Sequence, residues 1–423
     1  MTDEPAAFVT RLRDDPDWRR FLVARLISLA GTSVTYVALP VLMYRISGGS
    51  PLLTALVTAF EAMPYLLLGL PAGAVADRFD RKRVMSTADL VSALVLGSIP
   101  VAWWLGALTV PHVLAAAFVA SALFVFFDAA DFGALPTLVG KPRIAMANSA
   151  LWSSSTLIET SVPLLAGALL AVVDGATLIT VDALSYVASA LLIRSLRRPL
   201  SDPGRRPTQR FTRRALVADV REGLRFLWGH VTVRSMTVVG AAQSIAGGAF
   251  VGQMVVWADR ALGVRAGDWR LGVLFAAWGV GVLVTSLTVP RVVRRLGAAR
   301  VTLLALPASA VLCVLAALAD DWVVASLVLL AWGAAYMAVV TNAITYRQQV
   351  TPEPLLSRVN TTGRMLSFGL GWPSGSVLGG LVAHVAGPRA GMLAGAAVLV
   401  VGAGAAWASP LRREGPAPAP VAA

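Results

Sequence analysis

Six carboxylates interrupt otherwise apolar stretches in the first half of the chain: Glu61, Asp89, Asp128, Asp131, Glu159 and Asp182. A charge inside hydrocarbon costs at least about 2 to 3 kcal/mol and needs a partner or a wet cavity. A carboxyl group in such a place can bind and release a proton, or it can pair with a basic side chain. No carboxylate lies well inside an apolar stretch of the second half. If protons are exchanged, the sequence therefore predicts that the first half exchanges them.

Two of these acids, Glu61 and Glu159, are the deepest by position in their apolar stretches. They are candidates for proton coupling, or each hydrogen-bonds a neighbouring helix. Asp128 and Asp131 lie one helical turn apart, and Arg25 lies at a similar depth in the first apolar stretch. We expect an ion pair here, either as a structural tether or as a switch that protonation breaks.

The elements that must position these residues are membrane-spanning helices. The chain of 423 residues is 57% hydrophobic and 14% charged, which excludes an ordinary soluble protein and indicates an all-α membrane protein in a lipid bilayer. Apolar windows predict twelve spans, near residues 21–43, 53–76, 86–107, 113–134, 149–172, 178–196, 235–258, 271–290, 301–319, 323–345, 362–386 and 390–409.

The distribution of arginine and lysine gives an independent prediction of topology. If both termini are cytoplasmic, the cytoplasmic segments hold 30 of the 36 basic residues, Arg25 lies within a span, and the outer loops hold five: Arg45, Arg260, Arg265, Arg270 and Arg389. Cytoplasmic loops are enriched in positive charge, so this arrangement is favoured over its inverse. The same flanking pattern explains the net charge of +13 without a nucleic-acid partner.

The polar stretch near the middle of the chain predicts two bundles of six helices. We expect an N-terminal bundle over residues 1–196, a cytoplasmic linker over 197–232, a C-terminal bundle over 233–410 and a cytoplasmic tail over 411–423. The halves show weak similarity, with RFDRKRV from Arg78 opposite RLGAARV from Arg295. Six plus six spans around a basic central loop is typical of a parallel repeat.

The sharpest motif, GAVADRFDRKR, follows the second span on the predicted cytoplasmic side. Glycine allows helices to approach closely, and a carboxylate at the membrane surface can accept hydrogen bonds from arginine. The motif predicts a cluster that latches two bundles together, formed by Gly73, Asp77, Arg78, Arg81 and Lys82.

At this motif the sequence resembles the major facilitator superfamily, although Asp80 stands where the superfamily motif has a second glycine. DALSY from Asp182, REGLRFL from Arg221 and the spacing of Pro373 and Gly379 resemble the branch with macrolide efflux proteins and the enterobactin exporter. That resemblance implies the major facilitator fold and export of drugs or natural products by proton antiport. It also implies that spans 3 and 6 lie away from the cavity, so Asp89 and Asp182 are expected in packing or in a gate network.

The antiporter motif of span 5 in this superfamily has Gly-Pro, two residues, then Gly-Gly. Here the sequence reads SVPLLAG, and only Pro163 and Gly167 match. The resemblance assigns these two residues, with Pro373 of span 11, to helix packing, and antiport is an inference that this motif only partly supports.

Aromatic residues within the spans could line an apolar drug cavity, or they could face lipid or pack inside the bundles. They are Trp152, Trp257, Trp278, Trp332 and Trp372.

Other chemistry finds little support. The histidines lack metal-ligand spacing, and the Gly140-Lys141 pair is followed by Pro142 instead of Ser or Thr, so we expect no metal, no cofactor and no bound ATP. The Asp128 and Asp131 spacing resembles the paired aspartates of membrane prenyltransferases, but no second acidic cluster accompanies it.

The sequence thus predicts a monomeric transporter of the bacterial inner membrane and no enzyme. It exports a hydrophobic or amphiphilic small molecule in exchange for protons, by alternating access of the two bundles. An importer or uniporter of a small metabolite remains the alternative within transporters, and a membrane-embedded transferase is the alternative from another class.

Overall fold

A computed structural model describes residues 12–201, 213–352, 355, 359 and 362–413, and every regular element in these ranges is helical. The predicted all-α class is confirmed. The predicted linker and tail lie partly outside the described residues.

The first six long helices alternate in direction and are joined by short turns. They are α1 Pro16–Ile46, α2 Pro51–Arg78, α3 Arg81–Trp104, α4 Val110–Val139, α5 Ile144–Leu169 and α6 Gly175–Arg194. A shorter helix, α7 Arg213–Gly229, follows in the predicted linker.

The second six are α8 Val231–Leu262, α9 Trp269–Leu296, α10 Ala298–Leu318, α11 Trp322–Val350, α12 Gly371–Ala386 and α13 Pro388–Ala408. A π-helical segment, Met365–Leu370, leads directly into α12. The predicted eleventh span thus changes its helix type where Gly369 and Gly371 occur. Short 3-10 turns are at Leu12–Asp14, Lys141–Arg143 and Pro410–Arg413.

Side-chain caps determine where several helices begin. Asp15 accepts from the backbone N–H groups of Asp17 and Trp18 at the start of α1, and Asp80 accepts from Arg83 N at 2.9 Å at the start of α3. An N-terminal cap satisfies N–H groups that have no partner within the helix. Asp80, the departure from the superfamily motif, therefore serves as the cap of α3.

The two sets of six helices pack in the same pattern. In the first set, α1 packs on α5 and α6, α2 on α4, and α3 on α4 and α6. In the second, α8 packs on α12 and α13, α9 on α11, and α10 on α11 and α13. Each pair in one set has its counterpart seven labels later, as a parallel repeat requires. We call α1–α6 the first bundle and α8–α13 the second bundle.

Ten of these helices, within the described residues, are long and apolar enough to cross a bilayer. Helices α5 and α12 are not among them; α12 has 16 residues, fewer than the roughly 20 that a hydrocarbon core requires.

Candidate transport site

The two bundles meet at the end of the molecule that the sequence predicts to face outward. Tyr44 Oη of α1 donates to Asp259 Oδ2 of α8 at 2.7 Å. Arg45 Nη2 donates to Ala266 O at 2.9 Å, and Arg260 Nη2 donates to Gly49 O at 2.7 Å. These bonds each join one bundle to the other, so this end of the interface is closed.

Helices α5 and α9 touch through backbone atoms beside these bonds. A Cβ at Gly167 would overlap the N and Cα atoms of Gly272, and a Cβ at Gly272 would lie 3.2 Å from Pro163 O. The structure thus places the predicted packing residues Pro163 and Gly167 at a contact between bundles. Their partner Gly272 was missed, because an isolated glycine in α9 has no motif around it.

The contact continues along α2 toward the middle of the molecule. Gln253 Nε2 donates to Pro51 O at 3.2 Å, and Ser376 Oγ donates to Ala55 O at 2.6 Å. The deepest close approach is at Leu66, whose backbone N would lie 2.9 Å from a Cβ at Gly369. Pro373 is buried in α12 just beyond the π-helical segment.

The predicted latch residues lie at the opposite end of α2. A Cβ at Gly73 would meet nothing within 4 Å, and the Asp77 side chain is 66% exposed. Arg81 lies 3.6 Å from Asp77 and donates to Gly133 O of α4 at 2.7 Å, while Lys82 Nζ donates to Leu196 O at 2.6 Å. The bonds described for Arg81 and Lys82 therefore join α3 to α4 and to the segment just after α6.

Arg25 is the basic group of the first bundle's interior. Its Nη2 lies 3.3 Å from Asp131 Oδ2, and its guanidinium lies 5.1 Å from the centre of the Phe127 ring. Arg25 Nε and Asp131 Oδ1 have no hydrogen-bond partner within the described residues. Arg25 also acts electrostatically on Glu159 of α5, so it interacts with acids on both α4 and α5.

Glu61 and Asp128 lie near aromatic residues that face the second bundle. Glu61 acts electrostatically on Tyr36, whose ring contacts Phe275 of α9 edge-on at 5.8 Å. Asp128 acts similarly on Tyr65, whose ring contacts Phe368 at 5.1 Å. Both acids therefore lie within electrostatic range of a tyrosine ring that contacts the second bundle.

The second bundle contains a cluster of aromatic rings centred on Trp278. Trp278 stacks on Phe250 at 5.4 Å and contacts Trp332 and Tyr336 at 4.9 and 5.1 Å. Of the five tryptophans considered from the sequence, Trp257 and Trp332 are fully buried and Trp152 is 71% exposed. Only Trp278 and Trp372 are half-buried, so the structure leaves these two as candidates for lining a cavity.

Inside the second bundle, amides and hydroxyls take the place that carboxylates have in the first. Gln243 Nε2 and Trp332 Nε1 both donate to Ser309 Oγ, at 2.8 and 2.9 Å. Asn342 Nδ2 donates to Ala298 O at 2.5 Å and to Thr302 Oγ1 at 2.7 Å. Such bonds join neighbouring helices but cannot change charge.

Two bundles of apolar helices related by an internal repeat, closed against each other at one end, are the architecture of many secondary transporters of the membrane. The comparisons with known proteins agree with this class. A profile of the family described as transmembrane secretion effector matches residues 12–418, and the chain belongs to that family. The prediction of a major facilitator transporter of the drug-efflux type is thereby confirmed.

Among curated proteins, the chain is 32% identical over 224 residues to the multidrug efflux pump Tap of Mycolicibacterium fortuitum, a match that covers 52% of this chain and 54% of the relative. Tap of Mycobacterium tuberculosis is 30% identical over 228 residues, 52% of each chain. The chain spans about half the length of the curated relatives it matches.

Solved structures show the same fold at low identity. The nucleoside transporter NupG has a TM-score of 0.76 at 14% identity and is covered over 99% of its chain, against 93% of this one. A bacterial homolog of the human lysosomal transporter Spinster, in an inward-facing and occupied conformation, has a TM-score of 0.72 at 15% identity. The match covers 97% of that chain and 96% of this one.

Proposed function

We propose that this protein exports hydrophobic or amphiphilic small molecules from a bacterial cell across the inner membrane, in exchange for protons. It acts as a monomer, with both termini in the cytoplasm. The relatives named multidrug efflux pumps support export. The embedded acids of the first bundle support proton exchange, because burying them ionised is unfavourable in hydrocarbon.

Twelve spans follow when α5 and α12 are counted with the other ten. The π-helical segment has 6 residues and α12 has 16, so together they form 22 residues of continuous helix. At about 1.5 Å per residue this is about 33 Å, enough to cross the hydrocarbon core. α5 has 26 residues and packs on α1 and α9, and its counterpart by repeat is α12.

The conformation supports alternating access. Contacts between the bundles run from Tyr44 and Gly167 at the predicted outer end to Leu66 in α2, while Gly73 at the predicted cytoplasmic end faces open space. We infer an inward-open state, in which the cargo enters from the cytoplasm. The latch of Asp77 and Arg78 belongs to the opposite, outward-open state, in which the cytoplasmic ends meet.

One observation supports this choice of cargo: acids of the first bundle act on tyrosine rings that contact aromatic rings of the second bundle. Glu61 and Asp128 lie on the first bundle, and Trp278 with Phe275 lies on the second. Aromatic faces and a carboxylate suit an amphiphilic molecule that carries a positive charge, since such faces attract cations.

The test uses purified protein in liposomes loaded with ethidium, a lipophilic cationic dye. At zero membrane potential, one pH unit of outside acidity supports a dye gradient of about tenfold for each proton exchanged. We expect dye release that requires the pH gradient, and we expect at least one of E61Q, E159Q and D128N to abolish it. D321N, at the exposed cap of α11, is the matched control. Full pH-driven release by all three variants would place coupling elsewhere.

The two alternatives give different results in the same vesicles. Dye movement that is the same with and without the pH gradient indicates a uniporter or importer. Magnesium-dependent turnover of a prenyl diphosphate by the purified protein indicates a transferase and contradicts export.

A further inference from the structure

A buried polar cluster lies where α1, α3 and α6 pack together. Its acids, Asp89 of α3 and Asp182 of α6, are each only 1% exposed, and Ser189 of α6 is fully buried. The sequence assigned these acids to packing or to a gate network. Two carboxyl groups in the interior of a helical bundle require a reason beyond packing, because apolar residues pack there at lower cost.

Asp182 is well supplied with hydrogen bonds. Its Oδ2 accepts from Thr35 Oγ1 at 2.5 Å, and its Oδ1 accepts from Ser185 Oγ at 3.2 Å. Gly31 makes the approach of α6 possible, since a Cβ there would lie 2.5 Å from Asp182 Oδ1. The packing of α1 against α6 is therefore built around this carboxyl group.

Asp89 is different. Its Oδ2 is buried and has no partner at hydrogen-bond distance and angle within the described residues, and the same holds for the hydroxyl oxygen of Ser189. The Ser189 hydroxyl is close enough to interact with the Asp89 carboxyl group, but not in the geometry of a normal hydrogen bond. An ionised carboxylate with a bare buried oxygen costs several kcal/mol. A neutral carboxylic acid has an O–H group to donate and no charge to solvate, so the arrangement fits the protonated form of Asp89.

The charged and titratable groups around Asp89 come from three neighbouring helices. Arg25 of α1 acts on it electrostatically, Asp131 of α4 holds the guanidinium of Arg25, and Asp182 and Tyr186 lie on α6. Arg25 lies nine residues into α1 and Asp89 eight residues into α3, about 12 to 14 Å from helix ends on the same side. Arg25 is the cation that acts on Asp89, and its Nε has no hydrogen-bond partner within the described residues.

We propose that Asp89 is a proton-binding site of the transport cycle, separate from Glu61 and Asp128, and that the pairing of Arg25 depends on whether Asp89 holds a proton. While Asp89 holds a proton, Arg25 pairs with Asp131. When the Asp89 O–H bond breaks and the proton passes to water from the cytoplasmic side, the carboxylate attracts Arg25 away from Asp131. The loss of the Arg25–Asp131 pair changes the link between α1 and α4. The inference rests on the proposed function, because Asp89 would carry the proton that is exchanged for the cargo.

The test compares wild type with D89N, which mimics the protonated acid, in the ethidium-loaded liposomes. We expect D89N to bind ethidium, measured by fluorescence in detergent, and to lose its release by the pH gradient entirely. D89E retains a titratable group and should recover part of the coupling, with its pH profile displaced. S92A, which alters a buried hydroxyl one turn along α3, is the matched control and should release dye as the wild type does.

The outcomes separate this inference from the proposed function. Dye release by wild type that ignores the pH gradient overturns proton exchange itself. Wild-type coupling together with full coupling in D89N overturns only the role of Asp89. If D89N does not fold, D89E is compared with wild type by infrared absorption of protonated carboxyl groups. An unchanged carboxyl band and an unchanged pH profile in D89E contradict the proposal.

Discussion

The backbone contact between α5 and α9 predicts that Gly272→Ala drives the protein out of the conformation described above. The new Cβ would lie 2.8 Å from Gly167 Cα and 2.8 Å from Leu164 O. Carbon atoms pack best at about 3.5 to 4.0 Å, so the two helices must separate by about 1 Å. Both neighbours are backbone atoms, and no side-chain rotation relieves the overlap.

The magnitude follows from overpacking. Forcing an extra methyl group into a filled contact costs about 1 to 3 kcal/mol. That cost arises only where the outer ends of α5 and α9 touch, so the equilibrium between inward-open and outward-open states shifts by about 5- to 150-fold.

A cysteine at Thr160 reports this shift. Thr160 is buried two helical turns from Gly167, against Gly279 of α9, and the sole native cysteine, Cys313, is fully buried. In intact cells that carry Thr160→Cys, a membrane-impermeant maleimide added outside should label the protein faster when Gly272→Ala is also present. The increase in rate should lie within the same 5- to 150-fold range, at about 1.4 kcal/mol per factor of ten.

The matched control is Gly404→Ala in α13, where a Cβ meets nothing within 4 Å. It makes the same chemical change within a helix and should leave the labelling rate unaltered. Equal labelling of the Gly272→Ala and Gly404→Ala proteins, at equal expression, would refute the reasoning that this contact keeps the outer end closed.

Three further predictions concern single bonds. Tyr44→Phe removes the bond to Asp259 between the bundles, worth about 1 kcal/mol, and should raise labelling of the Thr160→Cys protein about fivefold; an unchanged rate contradicts this. Hydrogen bonds from Arg270 lower the pKa of Asp268, which caps α9. The stabilisation that the ionised carboxylate gives the folded protein is therefore fully present above the ordinary pKa of about 3.9, and it is lost as the pH falls through the lowered pKa. Asp268→Asn should therefore lower the Tm in detergent by the same amount at every pH from about 5 to 8, and a difference that changes within that window would exclude this account. Asn342→Ala removes two bonds between α10 and α11 and should lower the Tm in detergent by a few degrees, at about 0.6 to 1.7 kcal/mol per bond, with the pH-driven release of ethidium unchanged.

The helices and the superfamily could be predicted from the sequence because their signals are local. Each signal is contained in one continuous stretch of chain: the length of an apolar segment, the glycine and proline residues that bound it, and the motif that begins at Gly73. The confirmed predictions are the all-helical class and the drug-efflux type of major facilitator transporter. The roles assigned to Glu61, Glu159 and the latch residues stay predictions.

The features that the sequence did not reveal depend on two distant segments meeting. Gly272 matters because Gly167, 105 residues away, occupies the space where its side chain would lie. Likewise, Gly133 has no side chain where the guanidinium of Arg81 lies, and the missing bond of Asp89 Oδ2 depends on how α3 and α6 pack. One glycine or one aspartate carries no information about its partner until the fold brings the partner near.

The two bundles differ in what their interiors can do, and this difference assigns them different parts in transport. In the first bundle Arg25 acts on Asp89, Asp131 and Glu159, and the loss or gain of a proton by one of these acids changes the charge balance there. The second bundle is joined by amides and hydroxyls such as Asn342 and Ser309, which keep the same bonds at every pH. If the proposed proton exchange is correct, a proton gradient should act on the packing of the first bundle, while the second bundle should keep its shape and move as a unit. Because the outer contact joins Gly167 to Gly272 through backbone atoms, even a small shift of α5 relative to α1 is passed to the second bundle without a side chain to absorb it.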